Sequence, residues 1–176
     1  LSQRVKAMVK DMARPEQEPG SFDLIWSEGA LYNLGLKKAL HLCHGLLRPG
    51  GYLAFTDAVW RKENAPAQVK ASFDQDYPAM GWVDDDVAAI RDCGLELVGH
   101  FTLPDEAWWE DFYTPMEERI AQLRGKYAGD DEASAILDQL AREPVMHRRY
   151  CDFYAYEFFV ARRPWHSRGI SPLNEE

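Results

Sequence analysis

The sequence predicts an α/β fold, and three observations carry that expectation. Short runs rich in β-branched and aromatic residues alternate with stretches whose apolar residues recur at helical spacing. One run, Phe22 to Trp26 (FDLIW), is nearly continuous in apolar residues, which suits a parallel strand buried on both faces. Glycines, in Arg48-Pro49-Gly50-Gly51 and at Gly94, stand where helical stretches give way to strands.

Taken in order, Val5 to Val9 is a short candidate strand, followed by Asp11-Met12 and a polar loop. Phe22 to Trp26 is the second strand. From Leu34, apolar residues at 36, 39, 40, 43, 46 and 47 trace an amphipathic helix, and the Pro-Gly-Gly sequence then predicts a helix stop and a tight turn. Tyr52 to Ala58 (YLAFTDA) is the third strand, and a polar and aromatic segment runs from there to about residue 82. Val83, Val87 and Ile90 mark a helix with Asp84 as expected N-cap and Gly94 as its stop. Leu95 to Leu103 is the fourth strand. Thr114-Pro115-Met116-Glu117 resembles a capping box opening a helix through Tyr127, and Ala133 to Arg142 forms another helix closed by Pro144. Phe153 to Ala161 (FYAYEFFVA) is the last strand, and a mobile tail is expected after Arg163. The early alternation of strand and helix predicts a parallel sheet, with a helical block at about 105–149 inserted before the last strand.

Composition narrows the function. The chain has 176 residues, 46% hydrophobic and 12% aromatic, enough for one domain with a substantial core. Its formal charge is −9, from 29 acidic and 20 basic residues, which argues against a nucleic-acid or anionic-membrane partner. No window approaches the roughly 20 apolar residues of a membrane span. Three scattered cysteines, Cys43, Cys93 and Cys151, do not make a disulfide framework, and a reducing cytoplasm is the simplest location.

Open α/β sheets bind ligands beyond the carboxyl ends of their strands. Three candidate strands end in polar residues here: Val9-Lys10-Asp11, Trp26-Ser27-Glu28 and Phe55-Thr56-Asp57. In one parallel sheet these ends would share a rim, although each of them also suits the cap of a following helix.

VKAMVKDM, SFDLIWSEGALYNLG and LLRPGGYLAFTDAVW, in that order, resemble the second half of a class I S-adenosylmethionine-dependent methyltransferase. The resemblance implies a partial Rossmann-like sheet over residues 1–162, with the helical insert before its last strand and the tail at 163–176. It implies that Asp11 and Met12 hold adenine, that Ser27, Glu28 and Gly29 border the methionyl part, and that S-adenosyl-L-methionine is the cofactor. Glu28 or Asp57 is then the group that takes or orients the acceptor's proton. The implied acceptor is a small molecule. Missing from the resemblance are the glycine-rich loop and the acidic residue that binds the ribose, so the chain is expected to be a truncated form that holds cofactor poorly by itself. The alternative is a non-catalytic binding or assembly module. An exposed strand edge further predicts a displaced N-terminus or an edge-paired homodimer.

Tyr32 and Trp60 follow strand ends and are candidate pocket residues, and Trp108, Trp109 and Tyr113, with Phe112, are candidates for an acceptor pocket or lid. His41, Cys43 and His44 have metal-like spacing, but Cys43 falls on the apolar stripe and no partner cluster follows, so packing is the expected role. His100 and His147 are each a candidate base. Asp84-Asp85-Asp86 reads as a solvated helix start.

Overall fold

The computed structural model describes residues 4–165, apart from the side chains of Gln75 and Asp76. Its centre is a four-stranded sheet in the order β1-β2-β4-β3. The strands are β1 (Phe22–Ser27), β2 (Leu47–Trp60), β3 (Glu96–Thr102) and β4 (Tyr154–Arg162). β1 and β2 run parallel. β4 runs against β2: Arg163 exchanges backbone bonds with Gly50 and Gly51, whereas Phe153 accepts from Arg61 at the other end. The expected parallel sheet is therefore mixed.

The chain forms two compact units. Unit 1 comprises residues 1–57, 83–100 and 158–176. It holds α1 (Leu36–Leu46), preceded by a 3-10 turn at Leu31–Leu34, and α3 (Val83–Asp92). α1 turns Ala39, Leu40 and Cys43 inward and α3 contributes Val87 and Ile90, so both helices cover one sheet face that includes Leu53, Phe55 and Phe159. Phe55 stacks on Phe159 with centroids 5.1 Å apart. The C-terminus of α1 leaves carbonyls without helical partners, and Arg163 supplies them: its Nη1 donates to His44 O at 3.0 Å and Leu47 O at 2.5 Å.

Proline and glycine give the β1–β2 pairing its shape. Phe22 pairs with Leu47 but Leu24 pairs with Tyr52, so the register advances two residues on β1 and five on β2. Arg48-Pro49-Gly50-Gly51, expected as a tight turn, is this irregularity inside β2. Gly50 has φ +78°, open to glycine without strain. A Cβ on Gly51 would lie 3.0 Å from Arg48 O and Phe22 O and 3.2 Å from Asp23 O. An ion pair between Arg48 and Asp23 spans the same place.

Unit 2 comprises residues 58–82 and 101–157. The polar and aromatic segment before residue 82 contains α2 (Ala67–Asp76), whose Val69 is fully buried. Trp60 donates from Nε1 to Met80 O at 3.0 Å, and Phe73 packs edge-on between Trp60 and Tyr154. The rest is α4 (Asp105–Trp108), a π turn at Trp109–Tyr113, α5 (Thr114–Lys126), α6 (Asp131–Leu140) and α7 (Arg142–Tyr150).

Four helix expectations change for local reasons. Thr114 opens no capping box, because the chain is already helical when it arrives. Pro115 lacks an N–H and its ring would strike a carbonyl of the preceding turn; that turn is widened, with Thr114 N–H donating to Trp109 O five residues back. Pro144 does not close a helix but sits in the first turn of α7, where a missing N–H costs nothing. Asp130, not foreseen as a cap, accepts from Ala133 N–H at the start of α6. α3 begins at Val83, so Asp84 lies inside its first turn, and Asp86 is buried rather than solvated.

Val5 to Val9 is not a strand. The segment is irregular and Val5, Met8 and Val9 are exposed. A strand needs a ladder to join, and β1 occupies the edge of the described sheet without these residues beside it. Consequently Leu24 is 51% and Trp26 60% exposed on the strand expected to be buried on both faces. The expected mobile tail lies, from His166 on, outside the described residues.

Gly51→Ala should destabilise unit 1 by roughly 1–3 kcal/mol, because the added methyl meets backbone oxygens that cannot swing away. A lowered denaturant midpoint with an unchanged slope would show this; an unaltered midpoint would mean that the crossing is looser than described.

Candidate functional site

In unit 1, β1 delivers Ser27, Glu28 and Gly29 to one place because its parallel register sets Ser27 beside Phe55 of β2. One residue further along β2, Thr56 Oγ1 accepts the Gly29 N–H at 2.8 Å. Gly29 has φ +55°, a conformation that side chains resist, so the turn out of the strand and the bond to Thr56 need glycine together. Glu28 is exposed, and its Oε1 accepts from the Trp26 indole N–H at 2.5 Å. Ser27 is half-buried. The result is a carboxylate, a hydroxyl and a backbone turn presented at a strand end.

Asp57 is placed differently from its expected strand-end position. β2 continues to Trp60, so Thr56 and Asp57 lie within the strand, and Asp57 is fully buried. Asp11 and Met12 are on irregular chain. Asp11 Oδ1 accepts from Ala13 N–H at 2.9 Å and its carbonyl accepts from Arg14 N–H, a local turn that does not join it to the end of β1. Tyr32 is half-buried in the 3-10 turn just after Gly29.

Unit 2 gathers a second cluster. His147 on α7 is 1% exposed. Its Nε2 lies 2.8 Å from Asp105 Oδ1 and its Nδ1 lies 3.0 Å from the Tyr154 hydroxyl. A carboxylate only accepts, so Nε2 carries the proton and Nδ1 accepts from Tyr154. Aromatic rings wall the imidazole: Trp108 at 4.6 Å, Tyr113 at 5.0 Å and Trp109 at 6.0 Å between centroids. Trp108 also stacks on Tyr156 at 4.8 Å. Tyr113 donates to Glu143 Oε1 at 3.2 Å. Burial, with Glu143 adding repulsion, drives the Tyr113 hydroxyl far above the ordinary phenol range, and burial likewise raises Tyr154. Burial holds His147 below the ordinary histidine value, partly opposed by Asp105.

The four aromatics proposed for a pocket or lid thus divide by exposure. Trp108 and Trp109 are half-buried and Phe112 is exposed, whereas Tyr113 is a core residue. Trp60 is half-buried in unit 2 and fixed by its indole bond. The His100 ring lies 5.7 Å from that of Phe159 in unit 1, tilted by 31°. Cys43 is buried in the core as its position on the apolar stripe implied, and no metal-binding cluster occurs among the described residues.

Against known proteins, residues 2–55 match the family model described as "Methyltransferase domain". The phosphoethanolamine N-methyltransferase 2 of Haemonchus contortus, in complex with S-adenosyl-L-methionine, superposes with a TM-score of 0.67 at 18% identity, over 88% of this chain and 36% of that one. A SAM-dependent methyltransferase of Geobacter sulfurreducens, in complex with S-adenosyl-L-homocysteine, gives a TM-score of 0.68 at 16% identity, over 81% of this chain and 58% of that one. The fold is that of the class I methyltransferases. The cyclase SpnF shares it as well, with a TM-score of 0.69 at 20% identity, over 94% of this chain and 58% of that one. The methyltransferase-fold chain therefore spans 36–58% of the length of these structures. No curated protein sequence matches it.

Several members of both clusters were not singled out in the sequence. In the sequence Thr56 is only part of a polar strand end, and its tie to Gly29 is 27 residues distant. Asp105 and Tyr154 lie 42 and 7 residues from His147, too far apart for any local spacing to show. The α7 sequence REPVMHRRY is strongly polar, so no apolar stripe marks His147 as buried.

The histidines set a direction for acid stability. His147 and the buried His44 both have folded-state values below 6.5, mainly through burial. The unfolded chain then binds more protons than the folded one as pH falls through 6.5, and stability falls with it. We expect the melting temperature to drop between about pH 7.5 and about pH 5.5, with a shallower slope in His147→Gln. A slope unchanged by that substitution would contradict the placement of His147.

Proposed function

We propose that this chain serves S-adenosylmethionine-dependent methyl transfer to a small-molecule acceptor. The observation that carries the reading is the Ser27-Glu28-Gly29 turn, tied by Gly29 N–H to Thr56 and set at a strand end of a class I methyltransferase fold. Strand ends are where open α/β sheets take ligands. In this reading Ser27, Glu28 and Gly29 border the methionyl part. Gly29 leaves room for close approach of a ligand to the backbone. The exposed Glu28 carboxylate faces the cationic sulfonium or orients an acceptor N–H or O–H. Met12 offers an exposed apolar surface to adenine, and Asp11 an acceptor for its amine once released from its own turn. Asp57, buried within β2, serves as a positioning group or reacts only with an acceptor that reaches it.

The cofactor supplies the methyl group; the chain's part is to hold and orient. Alignment for an in-line displacement can contribute up to about 7–11 kcal/mol. The excess of acidic residues disfavours a nucleic-acid acceptor, and no helix among the described residues is long and apolar enough to cross a membrane. Three free cysteines, two of them buried, suit a reducing cytoplasm.

One observation favours a second reading, an assembly module. β1 lies at the sheet edge with Leu24 and Trp26 exposed, a surface that pairs readily with a second copy. The fold alone does not decide between the two, since the cyclase SpnF shares it.

Calorimetric titration with S-adenosyl-L-homocysteine separates the readings. Methyl transfer by a form that holds cofactor poorly predicts weak but saturable binding, weakened about a further tenfold or more by Gly29→Val, with Glu28→Gln lowering turnover more than affinity. An absence of binding, together with a dimer in sedimentation, would leave only the module.

A further inference from the structure

Outside the strand-end cluster, the His147 arrangement links a buried hydroxyl to solvent. Tyr154 is 2% exposed and donates to Nδ1 of His147, which is itself buried. Nε2–H on the other side of the ring donates to Asp105, whose side chain is 53% exposed. Three groups, two hydrogen bonds and one solvent-facing end make an unbroken proton path. The direction of each bond is fixed because Asp105 can only accept.

We propose that Tyr154, His147 and Asp105 form a general-base relay for a ligand bearing an ionisable N–H or O–H. The ligand's proton passes to Tyr154 Oη as Tyr154's own proton passes to Nδ1 of His147. The ligand keeps the bonding electron pair and the positive charge appears on the imidazole. Asp105 stabilises that imidazolium through the Nε2–H bond, and the charge is discharged at this exposed end: the Nε2 proton leaves through the carboxylate to water, and the reverse transfer restores it when the ligand leaves. Charge and atoms balance without a further reagent.

The surroundings suit temporary rather than permanent charge. Glu143, on the same helix as His147, adds negative potential, as does Asp105 on α4. Tyr113 of the π turn and Tyr154 of β4 are uncharged, and Arg148 lies over the Trp109 ring at 4.4 Å and pairs with Glu117. Trp108 is half-buried and packs edge-on to the Tyr154 ring, with centroids 6.2 Å apart. It terminates α4 where the helix widens into the π turn, a place where a ring can swing aside without breaking regular helix. The relay lies wholly in unit 2 and asks nothing of the cofactor reading for unit 1.

Hydroxyl exchange tests the path without cofactor or ligand. In protein carrying ring-labelled tyrosine, the Tyr154 O–H should exchange with water faster than its burial alone allows. Asp105→Asn should slow that exchange at least about tenfold, and so should His147→Gln, while Asp105→Glu keeps it fast. Asp105 is exposed at the surface, so its substitution tests the path even where His147→Gln disturbs folding. Nitrogen chemical shifts should show His147 as the Nε2–H tautomer. The Nδ1–H tautomer, or exchange unaffected by Asp105→Asn, overturns the proposal. Failure to bind S-adenosyl-L-homocysteine would overturn the methyl-transfer reading and leave the relay standing.

Discussion

Everything at the strand-end site depends on the parallel pairing of β1 with β2. That pairing is under one unusual constraint: five residues of β2 must fit against two of β1. The excess is absorbed at Pro49-Gly50-Gly51, where Gly50 takes a positive φ and Gly51 lets three backbone oxygens come close. Only past that irregularity does the register settle, with Ser27 beside Phe55 and Gly29 within reach of Thr56. A turn sequence more than twenty residues away thus decides where Glu28 is presented.

Unit 2 solves a different problem. It carries many aromatic rings and several ionisable groups, and it buries some of both. Buried polar groups are tolerable when bonded, and His147 shows how: one nitrogen for Asp105, the other for Tyr154, rings on its faces. The proline in the first turn of α7 and the π turn ahead of Pro115 let the helices turn these side chains toward one another. Acidity and aromaticity, which looked like composition in the sequence, are here one packed assembly.

Much of the fold was legible because its signals are local. The period of α1, the glycine after α3 and the β-rich run of β4 each follow from neighbouring residues. What misled were residues with two possible meanings. Pro144 can end a helix or begin one, and Thr114-Pro115 can open a helix or bend one in progress. Val5 to Val9 has strand composition, but a strand exists only beside another, and composition does not supply the partner. At the site, the Ser27-Glu28-Gly29 turn was visible as a polar end to an apolar run. Its tie to Thr56 was not, because that bond depends on register, which a bulge had displaced. The His147 assembly was the least legible, since its partners come from α4, the π turn and β4.

The most direct check on the account is amide hydrogen exchange at Gly29. A strand-end turn held by Thr56 predicts that the Gly29 amide is protected, unlike the exposed Glu28 before it, and that Thr56→Val removes this protection while β2 amides stay slow. Exchange of Gly29 at the rate of an unstructured loop in the unaltered protein would contradict the account, because β1 would then end without a fixed site.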